Sequence, residues 1–109
     1  MNFVNLTPHD INIVGDAVVQ VPVRTIEPSG TIARLSQETV QIDIWDGIPI
    51  TKTIYGEVED LPDPKEDTIY IVSFPVANHC KWRHDLFVPS QGVRNAAGQI
   101  VGCLSLGTV

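Results

Sequence analysis

Residues 68–85 read TIYIVSFPVANHCKWRHD, and the reading of this stretch decides the fold. Ile69, Tyr70, Ile71 and Val72 form the chain's most continuous apolar run. A run of four bounded by turn residues has the length of a buried strand and is too short for a core helix. Ser73-Phe74-Pro75 then breaks it. Pro75 fits the first turn of a helix, with Ser73 near its N-cap, and that helix can extend only to about Cys80. The stretch ends in the chain's densest cluster of reactive side chains: His79, Cys80, Lys81, Trp82, Arg83, His84 and Asp85.

Outward from this strand the same punctuation recurs. Residues 62–67, PDPKED, form an exposed loop, because two prolines and four charges exclude a core strand. Downstream, residues 86–89 are extended, Ser90-Gln91-Gly92 reads as a turn, residues 95–98 close a hairpin and residues 100–106 make the last strand. Upstream, residues 2–6 are a first strand, Thr7-Pro8-His9-Asp10 a turn, and Ile11 and Ile13 resume a strand that stops at Gly15-Asp16. Val19, Val21 and Val23 alternate, with Pro22 marking an edge position. Glu27-Pro28-Ser29-Gly30 is a turn.

Residues 38–45 alternate over the longest stretch. Val40, Ile42 and Ile44 are expected on one face, and Gln41, Asp43 and Trp45 on the other. Asp46-Gly47 is a two-residue hairpin signal, since both positions accept positive φ. The returning strand carries Ile48, Ile50 and Ile54. A simple two-residue turn places Trp45 opposite Ile48 and Gln41 opposite Lys52. Residues 56–61 are a further extended piece. The expected fold is mainly β: a small antiparallel sandwich or partly open barrel with at most one or two short helices, in a single domain spanning 1–109.

Composition narrows the function classes. Apolar residues make up 43% and charged residues 18% of 109 residues, a balance that supports one packed core rather than disorder. The net charge of −6 opposes general binding to duplex nucleic acid, which needs a basic face. It leaves room for a local anion site, because four of the seven basic residues lie between Lys65 and Arg94. No apolar run approaches the roughly 18–20 residues of a membrane-spanning helix. The start, MNFVNLTPHD, lacks the basic and apolar regions of a signal peptide. Two cysteines without such a signal point to reduced thiols in a cytoplasm, with a Cys80–Cys103 disulfide open only to a fold that joins them.

Three chemistries compete for the cluster after residue 78. His79, Cys80, His84 and Asp85 are metal-ligand types, but no paired CxxC or HxxxH element completes a tetrahedral set. Cys80 beside a histidine suggests a thiolate nucleophile, yet neighbouring residues on one element point apart, and a buried structural cysteine explains it more simply. Neither a P-loop nor a dinucleotide fingerprint is present. The anion reading has more content. Ser73 stands where a strand meets a helix start. Arg83 and Arg94 supply bidentate forks, and Arg34 can join from an earlier strand. Trp45, Tyr55 or Trp82 can stack a base. Asp85 can instead pair with Arg83 or Arg94 and turn the group into a structural ion network. Both readings stand at this level.

The blocks NLTPHDINI, SGTIARL, YGEVEDLPDP, IVSFPVANHCKWRHDLFVP and VRNAAGQIVGCLSL resemble those of a widespread family of small bacterial and phage proteins. The resemblance matches Ser73, Arg83, Asp85, Arg94 and Gly98, with His9 and Arg34 in the earlier blocks. His79 and Cys80 stand where the family carries small residues, which counts against metal and thiol chemistry. It implies a compact bacterial or viral domain acting in the bacterial host cytoplasm. By association with that genomic setting, the expected function is a non-enzymatic, cofactor-free binding protein. It would capture a small anionic ligand, such as a cyclic-nucleotide immune signal, as an anti-defence sponge. The expected ligand-binding residues are Ser73, Arg83, Arg94, Arg34, Asp85 and Trp82. No duplex nucleic acid, membrane or metal partner is expected, and a homo-oligomer is compatible. The alternatives are a virion accessory module assembling through strand edges and a small hydrolase.

Overall fold

The apolar run at 69–72 becomes an inner strand of the main sheet. The computed structural model describes residues 1–16 and 22–109. Its elements, in order, are β1 (Asn2–Asn5), β2 (Ile11–Val14), β3 (Pro22–Ile26), β4 (Arg34–Trp45), β5 (Ile48–Glu59), β6 (Thr68–Ile71), α1 (Phe74–His79), β7 (Leu86–Arg94) and β8 (Ile100–Gly107). The chain is mainly β with one short helix among the described residues, as the sequence suggests. Val19 and Val21 lie outside the described residues.

Six strands form one sheet in the order β1-β6-β7-β8-β2-β3, and β4 and β5 form a separate two-stranded sheet. Pro22 opens β3, an outer strand of this order, where its missing N–H is tolerated. The sheet is mixed rather than wholly antiparallel: β1 with β6, β6 with β7, and β2 with β8 run parallel. The β6–β7 pairing requires a crossover, and α1 lies in it. Ser73 is the N-cap with φ −70° and ψ 156°, and Cys80 is the C-cap. The helix ends where expected.

Alternation splits the apolar residues into two cores. Ile71 of β6 packs with Ile11, Ile26 and Cys103, joined by Phe3, Ile13 and Leu106. Phe3 belongs to β1 and Ile26 to β3, the two outermost strands, so the sheet curls to bring its edges onto one cluster. Three further contacts tie those edges. The Arg24 guanidinium lies 4.3 Å from the centroid of the Phe3 ring. The Ser29 N–H donates to the Asn5 carbonyl at 2.9 Å, and Asn5 bridges to Pro28. The result is a partly closed barrel. On the outer face, Tyr70 and Val72 pack with Leu6, Leu86 and Ala33 and with Val76, Ala77 and Cys80 at the helix, against Leu35 and Val58 at the root of the β4–β5 hairpin.

Beyond that root the hairpin projects as an arm. Twelve-residue strands are about 40 Å long at the usual rise. The radius of gyration, 16.9 Å, therefore exceeds the roughly 13 Å of a compact chain this size. Asp46 and Gly47 take φ of 51° and 77°, as the two-residue turn requires, and Trp45 pairs with Ile48. The rest of the expected register is corrected: Lys52 faces Val40, and Gln41 faces Thr51. Ile42 is an extra residue on β4, and the Gly56–Glu57 step supplies a compensating one on β5. The central segment is thus slipped by one and then restored. The expected grouping of Val40, Ile42 and Ile44 fails for the same reason. Ile48, Ile50, Lys52 and Ile54 share a face of β5, and their partners Trp45, Asp43, Val40 and Glu38 share it on β4. The indole Nε1 of Trp45 donates to Asp43 Oδ2 at 3.0 Å across that face.

Two smaller expectations change. Residues 56–59 continue β5 rather than forming a separate piece. Ser90-Gln91-Gly92 does not reverse the chain but lies within β7. Gln91 takes φ 55°, which kinks the strand, while Ser90 and Gly92 keep their pairing to Ser105 and Cys103. The hairpin at 95–98 forms as expected, with Asn95 Oδ1 accepting from the N–H groups of Ala97 and Gln99 and Gly98 at φ 81°.

Candidate functional site

The expected site residues divide into three places. Arg83 and Asp85 meet before β7 and close on each other. Arg83 Nε donates to Asp85 Oδ1 and its Nη2 to Asp85 Oδ2, both at 2.8 Å. The same Nη2 donates to the Pro62 carbonyl at 3.0 Å. Their side chains are only 13% and 17% exposed. Paired hydrogen bonds from Arg83 hold the Asp85 carboxyl below the usual carboxylate range and push the guanidinium up. Tyr70 supports the same loop, its hydroxyl donating to the Asp63 carbonyl at 3.1 Å. This group clamps the 62–67 loop to the sheet and is an ion network rather than an open pocket. Trp82 beside it is 69% exposed.

Arg94 stands at the other end of β7 from Leu86, about 27 Å along the strand. Its Nη1 donates to the Gly98 carbonyl at 2.6 Å in the terminal hairpin. It does not converge with Arg83 or Ser73.

Arg34 and Ser73 do come together. They line one open cleft of about 350 Å³ with Thr7, Pro8 and Gln37 over an apolar floor of Leu6, Ile32, Ala33 and Leu35. Local sequence explains each position. Arg34 begins β4. Ser73 ends the β6 run without a side-chain capping bond. Thr7 and Pro8 belong to the turn after β1. Among the described residues, the Arg34 guanidinium, the Ser73 hydroxyl and the Gln37 amide have no hydrogen-bond partner. The Thr7 hydroxyl is already committed to Asn5 Oδ1 at 2.6 Å. The cleft thus offers one cation and two neutral donors above an apolar base, the composition of a small polar-headed ligand site. Arg34 also borders a neighbouring polar cavity of about 340 Å³ with Gly30, Thr31 and Asp60.

Of the three aromatic residues expected to stack, Tyr55 is the one whose cross-strand partner lines the cleft. It pairs across the hairpin with Gln37 and is 55% exposed. Trp45 is at the arm tip and Trp82 at the ion pair. Gln37, Thr7 and Pro8 were missed from sequence because nothing in their spacing links the first turn to the start of β4. Among the described residues no family of three or more His, Cys, Asp or Glu side chains assembles as a metal site. Cys80 and Cys103 are free and buried in different cores, so no disulfide joins them. Burial pushes both thiols up.

No family model, curated protein or solved structure matches this chain. No helix among the described residues is long and apolar enough to cross a membrane.

A second cavity, about 490 Å³, lies between the turn before β2 and strands β7 and β8, where His9, Asn12, Pro89, Ile100 and Val101 are among its walls. Its surface is mainly apolar and it offers no cation.

Proposed function

We propose that this protein binds a small anionic ligand, without catalysis, in the cleft between β4 and the end of β6. One observation carries the reading: Arg34 and Ser73 line the same open cleft, and neither side chain is used by the fold. Arg34 would hold a phosphate or carboxylate through its fork. Ser73 and Gln37 would donate to its remaining oxygens, and Tyr55 would cover a base or other flat group at the rim. The volume suits a phosphate with its sugar, leaving a second nucleotide unit over the open side.

The ligand class to examine first is the cyclic nucleotides. The resemblance to phage proteins makes an immune signal of the host the natural cargo, with sequestration as an anti-defence activity in the bacterial cytoplasm. Cys80 supports the non-enzymatic side of the proposal. Its thiol is buried and held protonated, the reverse of an activated nucleophile, and among the described residues no histidine hydrogen-bonds to it or to Ser73.

Thermal-shift screening of the full chain with cyclic mono-, di- and trinucleotides, and with inorganic phosphate, tests the proposal. A ligand at one hundred times its Kd stabilises by about 2.7 kcal/mol, a readily measured rise in Tm. The absence of any shift across the panel would remove the cyclic-nucleotide reading.

A further inference from the structure

Strands β2 and β8 pair at one position, Ile13 with Cys103. They approach closely there: a Cβ added to Gly102 would stand 2.9 Å from the Asn12 carbonyl oxygen. A continued parallel ladder would set Ile11 beside Val101, two residues back, but those two are not paired. Both instead line the 490 Å³ cavity. A second irregularity borders the same opening. Gln91, at φ 55°, kinks β7 between Pro89 and Gly92, and both of these residues line the cavity too. The opening thus lies where two neighbouring strand ladders are interrupted. Ile11 and Cys103, which belong to the barrel core, form its base, and its volume is that of a small-molecule site.

We infer that this cavity binds a small molecule with an apolar body and a protonated amine. Two features select that chemistry. The first is the wall. Pro89, Ile100 and Val101 make one side of the cavity apolar, and Ile100 is 63% exposed, so its own chain leaves this surface for another group to cover.

The second feature is charge. Asp10 is the one carboxylate in the lining, and no Lys or Arg accompanies it. Among the described residues its side chain makes no hydrogen bond or ion pair. An unpartnered carboxylate beside apolar surface favours an ammonium group and disfavours a carboxylate or phosphate. The turn that presents it is fixed. Asn5 Nδ2 donates to the His9 carbonyl at 2.7 Å, and the Thr7 hydroxyl donates to the same oxygen at 3.1 Å. The cavity is therefore opposite in charge to the Arg34 cleft, and the two select different ligands.

Titration of the full chain with tryptamine, tryptophol and indole-3-propionate tests the inference. These probes share an apolar body and carry a cationic, a neutral and an anionic head. Isothermal titration should give tryptamine a Kd below about 1 mM, reasonable for a ligand of its size, with tryptophol weaker and indole-3-propionate weakest. Amide chemical shifts in a nitrogen–proton correlation spectrum should move at Asp10, Asn12, Val101 and Gly102. Asp10→Asn should weaken tryptamine about five-fold, the upper range for an exposed charge pair, and leave tryptophol unchanged. Asp46→Asn at the arm tip should alter neither. Gly92→Leu fills the cavity at little cost, since a Cβ there meets only the Ile100 side chain, at 3.9 Å, and should weaken both probes at least ten-fold. Circular dichroism checks that each variant keeps its fold, and Asp10→Asn decides the matter if Gly92→Leu does not. Tryptamine binding weaker than 1 mM overturns the inference. So does equal binding of indole-3-propionate, a shift pattern elsewhere on the chain, or tryptamine affinity indifferent to Asp10→Asn.

Discussion

Arg83 holds Asp85 in a fork of two parallel 2.8 Å hydrogen bonds. The pair sits under the loop that enters β6, and the remaining reach of Arg83 goes to the Pro62 carbonyl. Two residues that look like ligand-binding groups in sequence are therefore committed to the fold. Arg34, the plainer candidate, has the open cleft.

Breaking the fork should cost stability. Asp85→Ala or Arg83→Ala is expected to lose about 2–3 kcal/mol, the range for charge-assisted hydrogen bonds with one partner stranded. Arg83→Lys should recover only part, because an ammonium cannot make both bonds. The pH dependence follows from the carboxyl. Its folded pKa lies below the unfolded value of about 3.9. Its contribution is therefore complete above that value and is lost as pH falls through the folded one. Urea melts at stepped pH should show the native protein and Asp85→Asn far apart at neutrality and converging in acid.

Asn5 should be among the most sensitive positions. It is 1% exposed, and its amide donates to the carbonyls of His9 at 2.7 Å and Ile26 at 3.0 Å. Its Oδ1 accepts from the Thr7 N–H and hydroxyl. It thereby links the end of β1 to the end of β3, the step that draws the sheet toward closure. Asn5→Leu is expected to cost about 3 kcal/mol or more, because several buried backbone groups lose their partner together. Chemical denaturation measures this directly.

The two thiols should be inert in the folded protein. Burial raises the pKa of Cys80 and Cys103, so the neutral form is favoured. The stability this represents is complete below the ordinary thiol value of about 8.5 and is lost as pH rises through the folded values. A disulfide-exchange reagent at pH 8 should label neither cysteine in native buffer and both in denaturant. Rapid native labelling of Cys80 would revive a nucleophilic role.

Much of the fold was legible because local rules and packing agree. The run Ile69-Tyr70-Ile71-Val72 is apolar on both faces, and the structure buries both, one in the barrel and one under α1. Ser73, Pro75 and Cys80 bound that helix by ordinary capping logic. Asp46-Gly47 sets the tip of the arm. What sequence did not reveal was non-local. Nothing in β1 or β6 states that they pair in parallel. The bulge at Ile42 reassigns the faces of the arm without any glycine or proline to announce it. The cleft was half legible. The chemistry of Arg34 and Ser73 is visible in the sequence, but their meeting with the Thr7-Pro8 turn in one cleft depends on non-local strand order. Arg94 is near Arg83 in sequence, a nearness that the extended β7 cancels.

The Arg34 cleft is the proposed binding site. Isothermal titration of the native chain and Arg34→Ala with a cyclic dinucleotide, 3′,5′-cyclic AMP and inorganic phosphate tests it most directly. The native chain should bind at least one probe at a single site. Arg34→Ala should weaken that binding by ten-fold or more, about 1.4 kcal/mol, with an unchanged Tm, since the exposed guanidinium has no partner in the fold to lose. Binding that survives Arg34→Ala undiminished, or a native chain that binds none of the three, would contradict the account.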